Sequence, residues 1–551
     1  MPSPATHLRA PLLWLLVPLM AGFTAARFWP PPEGLGLLPL AWIATVASLA
    51  ATWFGGRTGW FAALNWALGT IVAATLAGFV MLHVREPHLH DLANRPPREI
   101  TVSFRVRQVF PAAPQARTFT GLGEILASGE NERELAGCRI YFSAIRKISV
   151  PPQRSGHYLM RGVIEPLPPA GPAAGFNDYL DNLGIRLKFT RGQIIREEES
   201  PGWFQQFCTR TETRLEKILH LGLQNHPAED SLYVGMVLGA KAVLSADQQN
   251  AFMRSGTFHI FSISGLHVGV IAGALKLLFQ LLRLPHRPAT ILTLLILWLY
   301  VQVTGGSSPA VRSLLMIAFL MGMHAFRLPG NRLAALVASA LATLLLDPLQ
   351  LFSTGFQMSY SVVIALVVMG VPLTEKWRAA WRPFALLPKP DWRWHHHRID
   401  HDGRWLIAGC AGSWVAFLAS AASGIGYFQL FSPGSLVANL VIIPLSTFAI
   451  YSGFLSLLCG LVGLSFLSVI FNWFAALLIR LMDWLVQHGT DLPATYFPAH
   501  FAQTWMAPAS IIAMTAVMLA GVAGHWSRRY GGYWPPVVLL GLILIFGVKF
   551  S

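Results

Sequence analysis

The sequence is poor in charge. Asp, Glu, Lys and Arg make up only 12% of its 551 residues, about half the share found in soluble globular proteins. Hydrophobic residues make up 54%, which excludes an ordinary soluble enzyme. Cysteine is scarcer still: the four present are too few for a disulfide framework, and none has the CxxC or Cys/His spacing of a zinc site. Cys410 and Cys459 fall in apolar runs as packing residues. Cys138 and Cys208 fall in the one long polar segment and are a disulfide candidate if that segment faces an oxidising compartment. No GxxxxGK[ST] loop occurs, so the chain carries no phosphate-loop motor. The nearest echo, Gly239-Ala-Lys241, lacks both the spacing and the hydroxyl residue. Acidic residues are outnumbered 26 to 41, yet most of the excess lies outside the polar segment. Between His83 and Thr257 stand 21 basic and 18 acidic residues, leaving 20 and 8 for the rest. Basic loops beside membrane spans account for such a distribution, so charge alone assigns no nucleic-acid partner.

Long apolar runs are what the chain has instead. They predict a polytopic α-helical membrane protein of about 13 spans, near 11–28, 36–54, 60–82, 259–282, 289–304, 309–326, 333–347, 355–373, 405–423, 435–459, 464–486, 506–525 and 534–549. The short runs at 289–304 and 333–347 also fit half-helices that dip in and out, which membranes tolerate only against protein or water. The first run lacks a small-residue cleavage site and reads as a retained anchor. Basic loops at Arg9, Arg57, Arg283/Arg287, Arg327/Arg332, 374–404 and Arg528/Arg529 all fall on the cytoplasmic side when thirteen spans are threaded from a cytoplasmic N-terminus. The polar segment then lies outside. This gives four regions: a three-span membrane part at 1–82, an external β domain at 83–200, an amphipathic connector at 201–257 and a helical membrane domain at 258–551.

Within the polar segment, runs at 100–110, 137–145, 157–166 and 184–195 alternate with a period of two, with Gly and Pro between them. They predict a small antiparallel barrel of about five strands, of OB type, inserted after the third span. In the first run Val102, Phe104 and Val106 should face its core, leaving Ser103, Arg105 and Arg107 outside. Arg105 and Arg107 are therefore the outward basic side chains of this run, candidate contacts for a polyanion. From Trp203 the period turns helical: Phe204, Phe207, Leu215, Ile218 and Leu219 form one stripe, suited to packing or to a membrane surface.

Polar residues inside apolar runs are costly, and each needs a reason. Ser264 and His267 are three apart on one helix face, and Gly265 and Gly269 remove bulk beside them. The alternative for His267 is a plain helix–helix hydrogen bond. His259 marks the outer mouth of the same run, as a path residue or an interfacial one. Arg312 follows the TGGSSP loop, whose glycines and helix N-terminus suit a phosphate; a snorkelling arginine is the alternative. Lys241 is either a phosphate contact or a surface lysine. Gln357 and Asn439 suit a polar path or bonds between helices. Pro444 should break its helix locally and expose carbonyls, as at transport sites. Arg480 and Asp483, three apart, should neutralise one another, and Asp347 should end a helix.

Five segments occur in a telling order: SLYVGMVLGAKAVLS at 231–245, FHIFSISGLHVGVIAG at 258–273, TGGSSPAVRSLLM at 304–316, STGFQMSYSVV at 353–363 and NLVIIPLSTFAIYSG at 439–453. Together they resemble the ComEC family, the inner-membrane DNA channel of bacterial natural transformation. FNDYLDNLGI at 176–185 resembles the end of that family's external domain, so the likeness covers nearly the whole chain. It implies single-stranded DNA as cargo, with Arg105 and Arg107 as candidate DNA contacts on the external domain, and the bacterial inner membrane as location; no cofactor or metal is expected. The partners it implies are membrane lipid, a DNA receptor outside, and an ATPase or strand-binding proteins inside; a homo-oligomer stays open. Many members add a metallo-β-lactamase-like domain after the last span, which this sequence does not show. HHHRIDHD at 395–402 is one residue out of register with the HxHxDH of a two-metal hydrolase, so no nuclease activity is expected.

A strand at about 3.4 Å per phosphate would place about nine charges in a core of roughly 30 Å. Arg312, Lys276 and Arg480 are nearly all the cations in the spans. A tightly ion-paired channel is excluded; a hydrated, amide-lined path with cations near its entrance is not. Two other readings stay open. A small-solute secondary transporter with a site near His267 should show an internal repeat, and none is evident. A membrane scaffold would not need Ser264, His267, Gln357 and Asn439 in its spans.

Overall fold

Each of the thirteen apolar runs centres on a helix in the computed structural model, which describes residues 10–29, 37–55, 60–86, 96–110, 117–128, 135–168, 175–239, 245–261, 263–328, 331–523 and 533–550. Among the described residues seven helices are long and apolar enough to cross a membrane, and six further apolar ones are shorter. The chain opens with α1 (Leu13–Phe28), α2 (Leu37–Gly55) and α3 (Trp60–Arg85). Strands β1 (Arg98–Val109), β2 (Thr118–Ser128), β3 (Arg139–Ile145) and β4 (His157–Pro166) follow, then α4 (Phe176–Asn182) and β5 (Leu187–Glu199). The connector holds α5 (Trp203–Leu219), α6 (Pro227–Leu238) and α7 (Ala246–Arg254).

The remainder is helical: α8 (Gly265–Leu281), α9 (His286–Val303), α10 (Ser308–Ala325), α11 (Arg332–Leu346), α12 (Thr354–Ala365), α13 (Val371–Ala380), α14 (Trp394–Phe428), α15 (Ser435–Leu461), α16 (Ser465–Thr490), α17 (Met506–Ala523) and α18 (Pro535–Phe546). A wider π-turn at Leu366–Gly370 joins α12 to α13, with Pro372 just beyond it. Short strands β6 (Leu430–Phe431), β7 (Phe497–Phe501) and β8 (Val548–Phe550) form one small antiparallel sheet. It ties together the ends of α14 and α18 and the segment before α17.

The five strands β1 to β5 close into a barrel in the order β1-β2-β3-β5-β4, with β3 and β5 parallel and the other pairs antiparallel. Alternation decides its core: Val102, Phe104 and Val106 of β1 are fully buried while Arg105 and Arg107 stay outside. Ser103 is half-buried, its hydroxyl donating to Glu198 Oε2 at 2.5 Å. Strand β2, TFTGLGEILAS, falls outside the alternating runs because glycines stand at two inward positions. The core requires them. A Cβ at Gly121 would lie 2.7 Å from the Phe142 ring, and one at Gly123 2.8 Å from Phe104. The two rings meet edge to face, 5.3 Å between centroids.

Three further cores make up the helical part. One joins α5, α6, α8, α9, α15 and α16 around Leu219, Tyr233, Val268 and Ala475. A second joins α1, α11 and α12 around Phe23, Leu344 and Tyr360. The third joins α12, α13, α14, α17 and α18 around Met369, Val415 and Met518. Helix α10 bridges the first two through Val311 and Met316, α12 the second and third, and α15 the third and first through Leu436 and Ile450. The cores are thus linked in a cycle.

Helix α5 packs on the first core through Cys208, Leu215, Ile218 and Leu219, and Phe204 stacks on Trp298 at 5.4 Å. Phe207 stays exposed. No disulfide joins Cys138 to Cys208, which corrects that candidate: Cys138 is buried inside the barrel and Cys208 in the first helical core. Cys138 packs with the barrel core, and Cys208 with the first helical core beside Arg154 and Glu212.

Candidate functional site

The barrel is fastened to the helical part at two places. At the first, Arg27 at the end of α1 pairs with Asp181 at 2.7 Å, and its guanidinium covers the Phe352 ring at 4.5 Å. Arg186 pairs with the same carboxylate. Arg139 of β3 meets Glu86 after α3 at 2.5 Å and Asp347 after α11 at 3.5 Å. Gly184, with φ of +75°, lies against Leu349; a Cβ there would come within 2.4 Å of Cδ1. The FNDYLDNLGI segment is therefore a docking element, and its glycine serves close approach.

At the second place Arg154, between β3 and β4, rests on Gly306: a Cβ on that glycine would sit 2.8 Å from Nη2. Arg154 also neighbours Glu212 of α5, whose carboxyl is pushed up to about 7 by burial and by Glu216, against the pull of Arg154. This corrects the expectation for the TGGSSP loop. Its glycines adopt φ of +86° and +58° and cap α9, Gly305 N–H donating to Gln302 O at 3.2 Å and Gly306 N–H to Val301 O at 2.8 Å. Those amides are spent on the helix end, so they are not open to an anion.

Helix α8 begins part-way along its apolar run. Phe258–Phe261 form a 3-10 turn, and α8 starts only at Gly265, with Ser264 as its N-cap. Ser264 N–H donates to His267 Nδ1 at 3.3 Å, and the Ser264 hydroxyl lies 3.1 Å from the same nitrogen. The expected shared helix face is thus a cap: His267, fully buried, takes the place of the Glu or Gln of a capping box. His259, in that turn, keeps an exposed side chain.

Beyond the cap, Gly265, Gly269 and Gly273 lie on one accessible face of α8, followed by Lys276 and Gln280. A Cβ at Gly265 would come no nearer than 3.6 Å to the Ser313 hydroxyl of α10. At Gly269 it would meet nothing within 4 Å, and at Gly273 only the Tyr451 hydroxyl of α15, at 3.5 Å. The glycines form an open lane with hydroxyl groups at its sides. Ser313 and Tyr451 had no signal in the sequence, being commonplace residues in apolar helices.

Arg312 does not snorkel. It is 2% exposed, with Nη1 donating to Gln350 Oε1 and Nη2 to Ser359 Oγ, each at 3.3 Å. Gln350 in turn donates to Asp347 Oδ2 at 3.1 Å. Gln357 binds two helices: it accepts from Tyr427 OH at 2.5 Å, and its Nε2 donates to Leu351 O at 3.1 Å. Asn439 Oδ1 is buried with no hydrogen bond.

Pro444 lies within an unbroken α15, which corrects the expected break. Ser446 and Thr447 hydroxyls brace the turn by donating to Ile443 O at 2.8 and 2.7 Å. Arg480 and Asp483 do not pair either. Arg480 binds Glu229 at 2.6 Å, and Asp483 accepts from Gln487 at 2.9 Å. Lys241 lies outside the described residues. On the barrel, Arg105 donates to His157 Nε2 at 2.9 Å and Arg107 pairs with Glu124 at 2.8 Å, so both outward arginines are engaged.

Residues 236–524 match the family model for the competence protein, more than half of the chain and every helix from α7 to α17. The chain belongs to the competence protein (ComEC) family. ComE operon protein 3 of Bacillus subtilis (strain 168) is 25% identical over 332 residues, 58% of this chain. That stretch is 38% of the relative, so the chain spans well under half the length of the curated relative it matches. No solved structure matches it. The family match takes in the α8 cap, the glycine lane and Arg312, and leaves the barrel outside.

Proposed function

We propose that this chain conducts single-stranded DNA into the cytoplasm across the bacterial inner membrane. In this reading all thirteen apolar helices cross or enter the bilayer, and the barrel stands on the external side as an OB-type module. The strand order, with β3 parallel to β5, supports the OB assignment; the helix between β4 and β5 is an addition. Membership of a competence family supports the cargo. A DNA receptor outside and an ATPase or strand-binding proteins inside complete the system, because the chain has no phosphate-loop motor of its own.

The glycine lane of α8 carries the proposal. An interrupted helix is tolerated at membrane depth where it lines protein or water, and three glycines in register keep a path free of side chains. Hydroxyl and amide neighbours hold a polyanion weakly, which lets it move. The helical domain does no chemistry on the strand in this reading: Asp400 and Asp402 of HHHRIDHD are paired with Arg404 and Arg398.

Gly269→Phe tests the conduit, since a Cβ at this position meets nothing within 4 Å. The variant should fold and insert, yet abolish entry of DNA while DNA still binds the cell surface. Undiminished transformation by this variant, or by a strain lacking the gene, would end the proposal.

A further inference from the structure

Arg312 is the one buried arginine whose surroundings are neutral among those described in the helical domain beyond α8. Its partners are an amide oxygen and a hydroxyl at 3.3 Å, and its Nε is buried with no hydrogen bond. It lies in the second turn of α10, an 18-residue helix, where the helix dipole is already positive and disfavours a cation. Arginine stays protonated in proteins. A guanidinium kept dry without a counterion is a large cost to the fold, and here it is increased by the helix terminus. Gly355 completes the fit: a Cβ there would stand 2.8 Å from Nη2, so the wall of α12 is shaped to this side chain.

We propose that Arg312 is a binding site for one phosphodiester anion, screened in this structure by Gln350 and Ser359. The fork of the guanidinium matches two phosphate oxygens; both screening groups are neutral, and Ser359 rotates aside freely whereas Gln350 gives up its bond to Asp347. Gln350 also links the site to the barrel. It reaches Asp347, which Arg139 of β3 contacts at 3.5 Å, so an anion that displaces Gln350 disturbs the barrel's own anchor. The inference rests on the DNA-conduit reading for one source of the phosphodiester, the strand; a phospholipid headgroup is the other source with the same chemistry.

The test uses the full chain in nanodiscs, with fluorescent oligodeoxythymidylate as probe and salt as the variable. Ser359→Asp gives Arg312 a permanent counterion at Nη2. It should raise thermal stability while weakening oligonucleotide binding about tenfold and lowering the slope of log K against log salt by about 0.7, the value for one lost phosphate contact on a single strand. Arg312→Gln should lose the same contact, and Arg312→Lys should keep the slope and part of the affinity. Unchanged affinity and slope in both Ser359→Asp and Arg312→Gln, with both proteins folded, would overturn the strand as ligand while leaving the conduit reading intact. No binding by the wild-type chain would instead count against that reading. Retained phosphatidylglycerol, read by native mass spectrometry, separates the sources. Its loss in both variants with DNA binding unchanged would assign the site to lipid, and no change in either ligand would refute the site.

Discussion

Arg139 on the barrel and Glu86 after α3 meet at 2.5 Å, with both side chains largely shielded from water. Burial raises the Glu86 carboxyl above its ordinary range even with Arg139 beside it. The pair therefore matters more to where the barrel sits than an exposed ion pair would. Arg139→Ala should cost ~3 kcal/mol at this contact by leaving a shielded carboxylate alone. Glu86→Gln in the same chain should restore much of that loss. Hydrogen exchange along β3 and around 181–186 would report it; equal exchange in wild type and Arg139→Ala would show that the pair holds nothing.

Much of this architecture is legible in the sequence, and the reasons differ by element. Long apolar runs are a direct signal of helices, so each of the thirteen centres on one, seven of them long and apolar enough to cross a membrane among the described residues. Alternation in β1, β3, β4 and β5 is equally direct, whereas β2 hides because Gly121 and Gly123 make room for Phe142 and Phe104 from other strands. The site was legible only as residue types. Ser264, His267 and Arg312 stood out because polar groups are rare in such runs, but spacing cannot distinguish a cap from a shared helix face. Nor can it place Gln350 and Ser359 against Arg312, since those contacts join segments 38 and 47 residues away. The docking arginines Arg139 and Arg154 carry no local pattern at all.

The Ser264–His267 cap makes a sharp distinction between two roles for the histidine. If Nδ1 serves only to accept from Ser264, glutamine at the same position can do so as well. His267→Gln should then retain uptake and stability, while His267→Ala and Ser264→Ala should each lose ~1 kcal/mol. Transformation frequency and thermal unfolding measure the two together. Loss of uptake in a stable His267→Gln protein would assign the imidazole a role in transport itself.

Asn472 is a residue that sequence reading passed over. It is fully buried on α16, where its amide donates to Ile218 O at 2.9 Å and Leu221 O at 3.0 Å and its oxygen accepts from Tyr233 OH at 3.0 Å. It thus satisfies the end of α5 and fixes α16 against α6. Asn472→Leu should cost ~3 kcal/mol, because two carbonyls and a phenol lose their partners in a dry core. Tyr233→Phe should cost less, about 1 kcal/mol. Thermal unfolding in detergent would rank them; a neutral Asn472→Leu would mean that water replaces the amide.

Glu212 links pH to the contact between connector and barrel. Its carboxyl is raised from 4.5 to about 7, first by burial and then by Glu216, with Arg154 acting in the opposite direction. The folded chain therefore binds a proton at this group that the unfolded chain has already released, in the window between those two values. Stability from this group is highest at acid pH and falls as pH rises through the window. Glu212→Gln removes the dependence, because the amide needs no proton to remain buried. At about pH 5 the variant and the wild type should unfold alike; at about pH 8 the variant should be more stable by ~1–2 kcal/mol, after allowance for solvent screening of a half-buried group. Thermal unfolding at the two pH values decides it. A variant equally displaced at both would mean that the carboxylate is already charged where it sits, held by Arg154 across the contact with Gly306.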